Sequence, residues 1–252
     1  MDLNANIGFN KTTVVDLAVE SKEFLAESIP SPIDAPINII REGEVLSAFY
    51  GFQEDGLTAT GDIKYKDLNN NGIFDPGDRT VIGSAQPDFI FGLTNRLSFG
   101  RFDLNFFLQG SYGNDVYNAT RIDLEGMFDS KNQSVTVLDR WTPDNTDTDV
   151  PRAVRNGSVK NVYNSDRFVE DGSYIRLKSA TLSYKVVDNS SSAKAIKNLS
   201  VYITGQNLLT FTRYSGFDPE VNAFGSSSTT LGVDYGTYPQ SRAIIVGLNV
   251  EF

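Results

Sequence analysis

The chain of 252 residues contains no cysteine and no histidine. Without thiols there is no disulfide framework and no thiolate metal site. Without imidazole there is no histidine ligand or general base, so Ser-His-Asp and Cys-His mechanisms are excluded. Basic residues are also short. Lys and Arg number 22 against 32 Asp and Glu, a formal net charge of −10 with no Lys/Arg cluster, which argues against a nucleic-acid binder. Neither a G-x-S-x-G elbow nor a Walker-type phosphate loop occurs. No carboxylate pair stands out as a glycosidase site, and the chain is expected not to be an enzyme. No apolar run reaches the roughly 18 residues of a membrane-spanning helix. The opening MDLNANIGFN has neither a basic nor an apolar leader region and reads as lacking a signal peptide. Taken alone, that reads as cytoplasmic.

What is present points elsewhere. There are 17 Phe, 11 Tyr, one Trp and 21 Gly, an all-β composition. Period-two alternation recurs. Leu3, Ala5 and Ile7 share a parity in residues 2–9, and residues 12–19 and 37–52 hold further short β-type runs. The best hairpin spans residues 88–113. Phe89, Phe91, Leu93 and Leu97 lie on one face of its first arm, and Phe102, Leu104, Phe106 and Leu108 on one face of the second. Amides and charges such as Arg96, Asn105 and Gln109 fall opposite. In residues 174–186 the apolar parity shifts between Leu177 and Ala180, which predicts a bulge near Ser179. Residues 199–209 and 243–252 alternate again, and a short helix is expected within 125–140.

Strand direction then sorts the connections. With the last strand running inward, residues 99–101 and 188–197 fall on one rim. The long stretches 53–87, 114–173 and 212–242 fall on the other. Ten-residue arms, one apolar face, and short turns opposite long loops are the pattern of an outer-membrane barrel. The reading is an all-β, antiparallel transmembrane β-barrel portion of about eight to nine strands over residues 1–252, with long extracellular loops. A secreted or surface calcium-stabilised β-domain, adhesin-like, is the competing reading. It requires a second sheet over the apolar face.

One loop carries a chemical pattern. From Asp67 the sequence runs DLNNNGIFDPGD. Side-chain oxygens fall at positions 1, 3, 5, 9 and 12, from Asp67, Asn69, Asn71, Asp75 and Asp78, with Gly72 at position 6 and the Ile73 carbonyl at position 7. This is the ligand order of a calcium loop, with Asp in place of the usual Glu at position 12. Asn71 followed by Gly72 is equally a turn signal, and a plain polar turn fits the same residues.

Five blocks in order resemble SusC/RagA-type TonB-linked outer-membrane transporters of Bacteroidetes: GDIKYKDLNNNGIFDPGDRTVIGSAQPDFIFG, LDRWTPDNTDTDVPR, GSYIRLKSATLSY, VYITGQNLLTFTRYSGFDPEV and YGTYPQSRAIIVGLNVEF. The resemblance implies the C-terminal portion of a plugged barrel of roughly 22 strands, ending on an aromatic Phe252 as the family does. It implies TonB-driven import of glycan oligosaccharides or peptides, and a SusD-like surface lipoprotein as lid. TonB would be reached through an N-terminal region, with its plug, that this stretch lacks, so the stretch alone is expected to transport nothing. The implied surroundings are outer-membrane lipid. Candidate substrate contacts are Trp141, Tyr163, Tyr214, Tyr235 and Tyr238, whose rings suit stacking on sugars or peptide groups and equally suit an interfacial girdle.

Overall fold

A computed structural model describes every residue except 31–32, 156–158, 189–195 and 226. In chain order the strands are β1 (Asp2–Gly8), β2 (Glu23–Leu25), β3 (Asn38–Arg41), β4 (Ala48–Gly51), β5 (Glu54–Leu57), β6 (Ile63–Tyr65), β7 (Thr80–Ser84), β8 (Phe89–Phe99) and β9 (Phe102–Tyr112). They continue as β10 (Asp115–Asn118), β11 (Val169–Asp171), β12 (Tyr174–Asp188), β13 (Asn198–Thr212), β14 (Val233–Asp234) and β15 (Ala243–Glu251), with one short helix, α1 (Thr120–Glu125).

Six strands form the main sheet, in the order β1-β8-β9-β12-β13-β15, every pair antiparallel. Directly opposite residues share a face, so the register shows which side chains travel together. Ala5 lies opposite Leu93, Leu93 opposite Leu108, and Leu108 opposite Leu177. Leu104, Leu182, Ile203 and Val246 form a second row. The apolar parities of all six strands thus meet on one face, while Arg96, Asn105, Thr181 and Thr204 make a row on the other.

The bulge is what keeps this true. Lys178 is the extra residue of β12, because Leu177 pairs with Leu108 and Ser179 with Phe107. An inserted residue flips every later side chain to the opposite face. The sequence shifts its apolar parity at the same place, so Leu177 before the bulge and Ala180 after it face the same way.

The apolar face is uncovered. Among the described residues, none of the buried hydrophobic side chains belongs to these six strands, while Leu182, Ile203, Ile244, Val246 and Leu248 on them are exposed. A sandwich would bury this face under a second sheet. Aromatic residues sit at both ends of the belt: Phe89 against Tyr112 (5.2 Å between ring centroids) at one, and Phe102 against Tyr184 (4.9 Å) at the other. The eleven-residue strands β8 and β9, at about 3.3 Å per residue and a tilt of roughly 40°, cover about 25–28 Å, the height of a barrel's apolar band.

The wall has six strands rather than the eight to nine expected. After β1 the chain leaves the wall and returns only at β8. Residues 12–19 make no strand, because their backbone groups find other partners. The Gln86 carboxamide takes both sides of Thr12, accepting from its N–H (2.8 Å) and donating to its carbonyl (2.9 Å). Val14 N–H donates to the Glu44 carbonyl. Residues 37–52 do form strands, but in a separate sheet ordered β2-β3-β4-β7. The helix falls at Thr120–Glu125, just before the expected stretch, and Val135–Asp139 is a 3-10 turn.

The long excursions 9–88, 113–173 and 213–242 all leave from one rim, and together they build a cap. Ile37 and Phe49 of the first, Tyr117, Ile122 and Phe168 of the second and Val233 of the third share one buried core. Polar links tie the same segments. Arg167 grips Glu54 with two hydrogen bonds (2.7 and 3.0 Å), and Asn164 donates to the Pro36 and Tyr50 carbonyls. At the opposite rim β8 turns into β9 at Gly100, in the left-handed region at φ +57°, and β12 and β13 close on the Asp188–Asn198 pair. The expected connection at 188–197 falls mostly outside the described residues.

A cation placed in the belt tests the assignment of faces. In bilayers, Leu182→Arg is expected to cost about 2–4 kcal/mol of folding stability. Ser183→Arg, one residue on and facing inward, is expected to cost far less. Urea titration in liposomes measures both, and equal costs would refute the assignment.

Candidate functional site

The cap is pinned to the inner face of the wall by one guanidinium. Arg176, on β12 just before the bulge, is 2% exposed and reaches across to the third excursion. It donates to Asp218 (2.5 Å), to Glu220 (2.7 Å) and to Thr210 (3.0 Å), with the Tyr174 ring 5.4 Å from it. Gln109 on β9 also donates to Glu220. Burial pushes the Asp218 carboxyl up, but the Arg176 bond and the N–H groups of Gln240 and Glu220 outweigh it, so Asp218 stays below the ordinary carboxylate range. Gln109 therefore faces the interior, as its parity indicated, and is engaged with the excursion.

Above this latch lies a cavity of about 630 Å³ between α1 and the third excursion. Phe217 and Tyr238, 87% and 89% exposed, stand on its lining. Arg121 and Glu125 of α1 form one wall and also line a neighbouring cleft of about 160 Å³ that reaches Asp149 and Arg167. Asp234 closes the floor, accepting from the Tyr214 hydroxyl (2.5 Å) and the Thr237 N–H (3.1 Å). Burial, then the Asp234 carboxylate, pushes the Tyr214 phenol upward, so it remains a donor.

The five aromatic candidates part company. Tyr238 is on the cavity. Tyr214 is buried against Val116 and Val221 and reaches the cavity only through Asp234. Tyr235 packs on the cap core. Tyr163 belongs to an aromatic cluster with Phe52, Tyr65 and Phe74. The Trp141 ring covers Gly61, where a Cβ would stand 2.4 Å from the indole, and Gly61 sits at φ +79°, which glycine tolerates. Phe217, Arg121 and Asp234 carry no periodic signal in the sequence. A lone aromatic in a Gly/Ser-rich loop shows its exposure only once the loop is folded.

The 67–78 loop closes on itself. Gly72 adopts φ +81° and its N–H donates to Asp67 (2.8 Å), from position 6 to position 1. Asp78 is fully buried and accepts from the N–H groups of Leu68, Asn69 and Asp75, bonds that hold its carboxyl below the ordinary range. Asn69 and Asn71 donate to Asp75, and the Asn71 side-chain oxygen accepts from Ile73. Phe74 stacks on Tyr65 (5.1 Å), anchoring the loop to the aromatic cluster. Among the described residues no three acidic side chains gather as a metal-binding group.

No family model matches the chain. Individual proteins do. It is 35% identical, over 98% of its length, to TonB-dependent receptor P3 of Formosa agariphila, and 40% identical over 76% to receptor P26 of the same organism. It is 26% identical over its whole length to TonB-dependent receptor SusC of Bacteroides thetaiotaomicron. The chain belongs to the SusC/RagA-type TonB-dependent receptors. It spans 26%, 20% and 24% of those relatives, about a quarter of a receptor. The fold agrees. The structure of the RagAB peptide transporter superposes on 99% of the chain with a TM-score of 0.80 at 23% identity, again over 26% of that protein. As part of such a receptor the wall lies in the outer membrane, and the segment is not an enzyme.

The latch gives a pH-dependent prediction. Because Asp218 is depressed in the folded state, its stabilising effect is complete above the usual carboxylate pKa of about 4. It is lost as pH falls through the lowered value. Limited proteolysis within residues 213–242 of the receptor is expected to stay slow at pH 5 and to accelerate only below about pH 4. Asp218→Asn, which leaves Arg176 buried and half-paired, is expected to be cleaved readily at neutral pH, at a cost of about 3 kcal/mol or more.

Proposed function

We propose that this chain forms part of the wall and the outer mouth of a TonB-dependent importer of oligosaccharides or peptides. The observation that carries the reading is the wall itself. It has one apolar face, one polar face, and all three long excursions capping the same end of the polar side. A polar inner face lets a hydrated substrate pass, and the apolar outer face holds the wall in lipid. The RagAB neighbour is a peptide transporter, and the oligosaccharide alternative comes from the family resemblance of the five sequence blocks. A SusD-like surface lipoprotein is the proposed partner at the capped rim. TonB is the proposed energy-coupling partner of the whole receptor. Disrupting the gene, or removing TonB, is expected to abolish energy-dependent uptake of labelled oligosaccharides or peptides by whole cells. Uptake unchanged in both strains would overturn the reading.

The 67–78 loop has a supporting role in this proposal, as a calcium brace of the outer cap with Asp67, Asn69, Asn71, Ile73, Asp75 and Asp78 as ligands. The glycine turn and the hydrogen bond from position 6 to position 1 support it, and extracellular loops of this type bind calcium at about 10⁻⁴–10⁻³ M. Millimolar calcium is expected to slow proteolysis near Asn70 in the intact receptor but not in Asp67→Ala. Equal protection in both, or none in either, would leave the plain turn as the correct reading.

A further inference from the structure

The outward, apolar face of the wall is not uniform. Next to the capped rim it opens into a groove of about 570 Å³ across β8, β9, β12 and β13. Two rows of side chains build it. In the lower row Phe91, Gly110, Ile175 and Phe211 lie opposite one another, and the Phe91 ring leans over Gly110, where a Cβ would collide with it. In the upper row Phe89 stacks on Tyr112 (5.2 Å). One step beyond the pairs Ser111–Tyr174 and Tyr174–Thr212 stand Ser173 and Arg213, which continue that upper row. These are the four central strands of the sheet, so any further strand joins at β1 or β15 and leaves the groove open.

Chemistry narrows the occupant. The walls are aromatic and aliphatic, with Phe211 and Tyr112 more than half exposed. At the rim end Arg213 is exposed, and among the described residues its guanidinium has no hydrogen-bond or ion-pair partner. Asp171 borders the groove too. Hydrogen bonds from Ser173, with the nearby Arg213 charge, hold its carboxyl below the ordinary range, but it makes no ion pair with Arg213. At the opposite rim, by contrast, Lys185 pairs with Asp103, and Arg101 donates to the Val186 carbonyl. A second depression on the same face, of about 230 Å³, is lined by Leu104, Leu182, Ile203 and Ile244 and offers a charged group no partner. An apolar groove that ends on a free cation, at the edge of a membrane wall, matches an amphiphile. Its chain lies in hydrocarbon and its anionic group stands at the water boundary. A phosphate suits the guanidinium best, because it presents two oxygens to the fork of N–H groups.

We propose that this groove holds a phosphate-bearing lipid of the outer leaflet, an acyl chain lying over Ile175 between Phe91 and Phe211 and the phosphate bound by Arg213. The assignment rests on the wall's place in the outer membrane and not on which substrate the receptor imports. Arg213 is the first residue of the third excursion, and its neighbour Tyr214 is buried and bonded to Asp234. A bound lipid therefore braces that excursion where it leaves the wall.

Native mass spectrometry of the purified intact receptor, stripped of lipid and titrated with defined probes, tests the assignment. The probes are a multiply acylated disaccharide lipid carrying a phosphate, the same lipid dephosphorylated, and inorganic phosphate alone. The phosphorylated lipid is expected to bind, and its dephosphorylated counterpart to bind about fivefold more weakly, the weight of one basic residue at a membrane surface. Arg213→Gln should lower affinity for the phosphorylated lipid by a similar factor, and Arg213→Lys should stay within about twofold of wild type. Phe211→Ala should weaken both lipids, whereas Leu248→Ala, on the exposed belt of β15 away from the groove, should weaken neither. Equal affinity for the two lipids, an Arg213→Gln or Phe211→Ala receptor that binds as wild type does, or a loss in Leu248→Ala as large as in Phe211→Ala would overturn the proposal. So would inorganic phosphate that binds as tightly as the lipid, since the groove would then add nothing.

Discussion

Everything in this structure depends on a backbone constraint. A strand in hydrocarbon has no water to satisfy its N–H and C=O groups, so each must pair with a neighbour. Pairing fixes the period at two, and period two fixes which side chains meet lipid. The six-strand wall obeys this across its whole width, from Leu3 on β1 to Val250 on β15. The bulge at Lys178 is the most telling detail. A single inserted residue would have turned half of β12 inside out, and the apolar parity of the sequence changes at that residue to prevent it.

Among the described residues the wall contributes no buried apolar side chain, so the compact part of the molecule lies elsewhere. Three excursions, distant in sequence, share the core around Phe49, Tyr117, Phe168 and Val233. No excursion supplies that core alone, so the cap holds together only when all three rise from the same rim. Arg176 joins cap to wall. Buried with Asp218 and backed by Glu220, it fixes where the third excursion stands, and with it Phe217 and Tyr238. The cavity is therefore a consequence of strand order as much as of its own residues.

The 67–78 loop shows how one pattern serves two ends. The residues that match a calcium loop also satisfy each other, and Phe74 ties the loop into the cluster that holds Tyr163. Its place in the cap comes from this stacking, whether or not an ion is bound.

Alternation in residues 88–113, 174–186 and 243–252, with the parity shift near Ser179, made the wall, its two faces and its long-loop rim legible from sequence alone. Period two is local, and lipid rewards it at every residue. The five ordered blocks likewise carried the family. The strand count was not legible, because residues 12–19 and 37–52 have strand composition but pair with Gln86, with the 43–46 turn and with one another. Partner choice is a long-range matter. Nor did the sequence separate Tyr238 from Tyr163 or Tyr235, since all are tyrosines in polar loops. Only the folded cap, in which residues more than a hundred positions apart become neighbours, decided which rings are buried in a core and which stand open over a cavity.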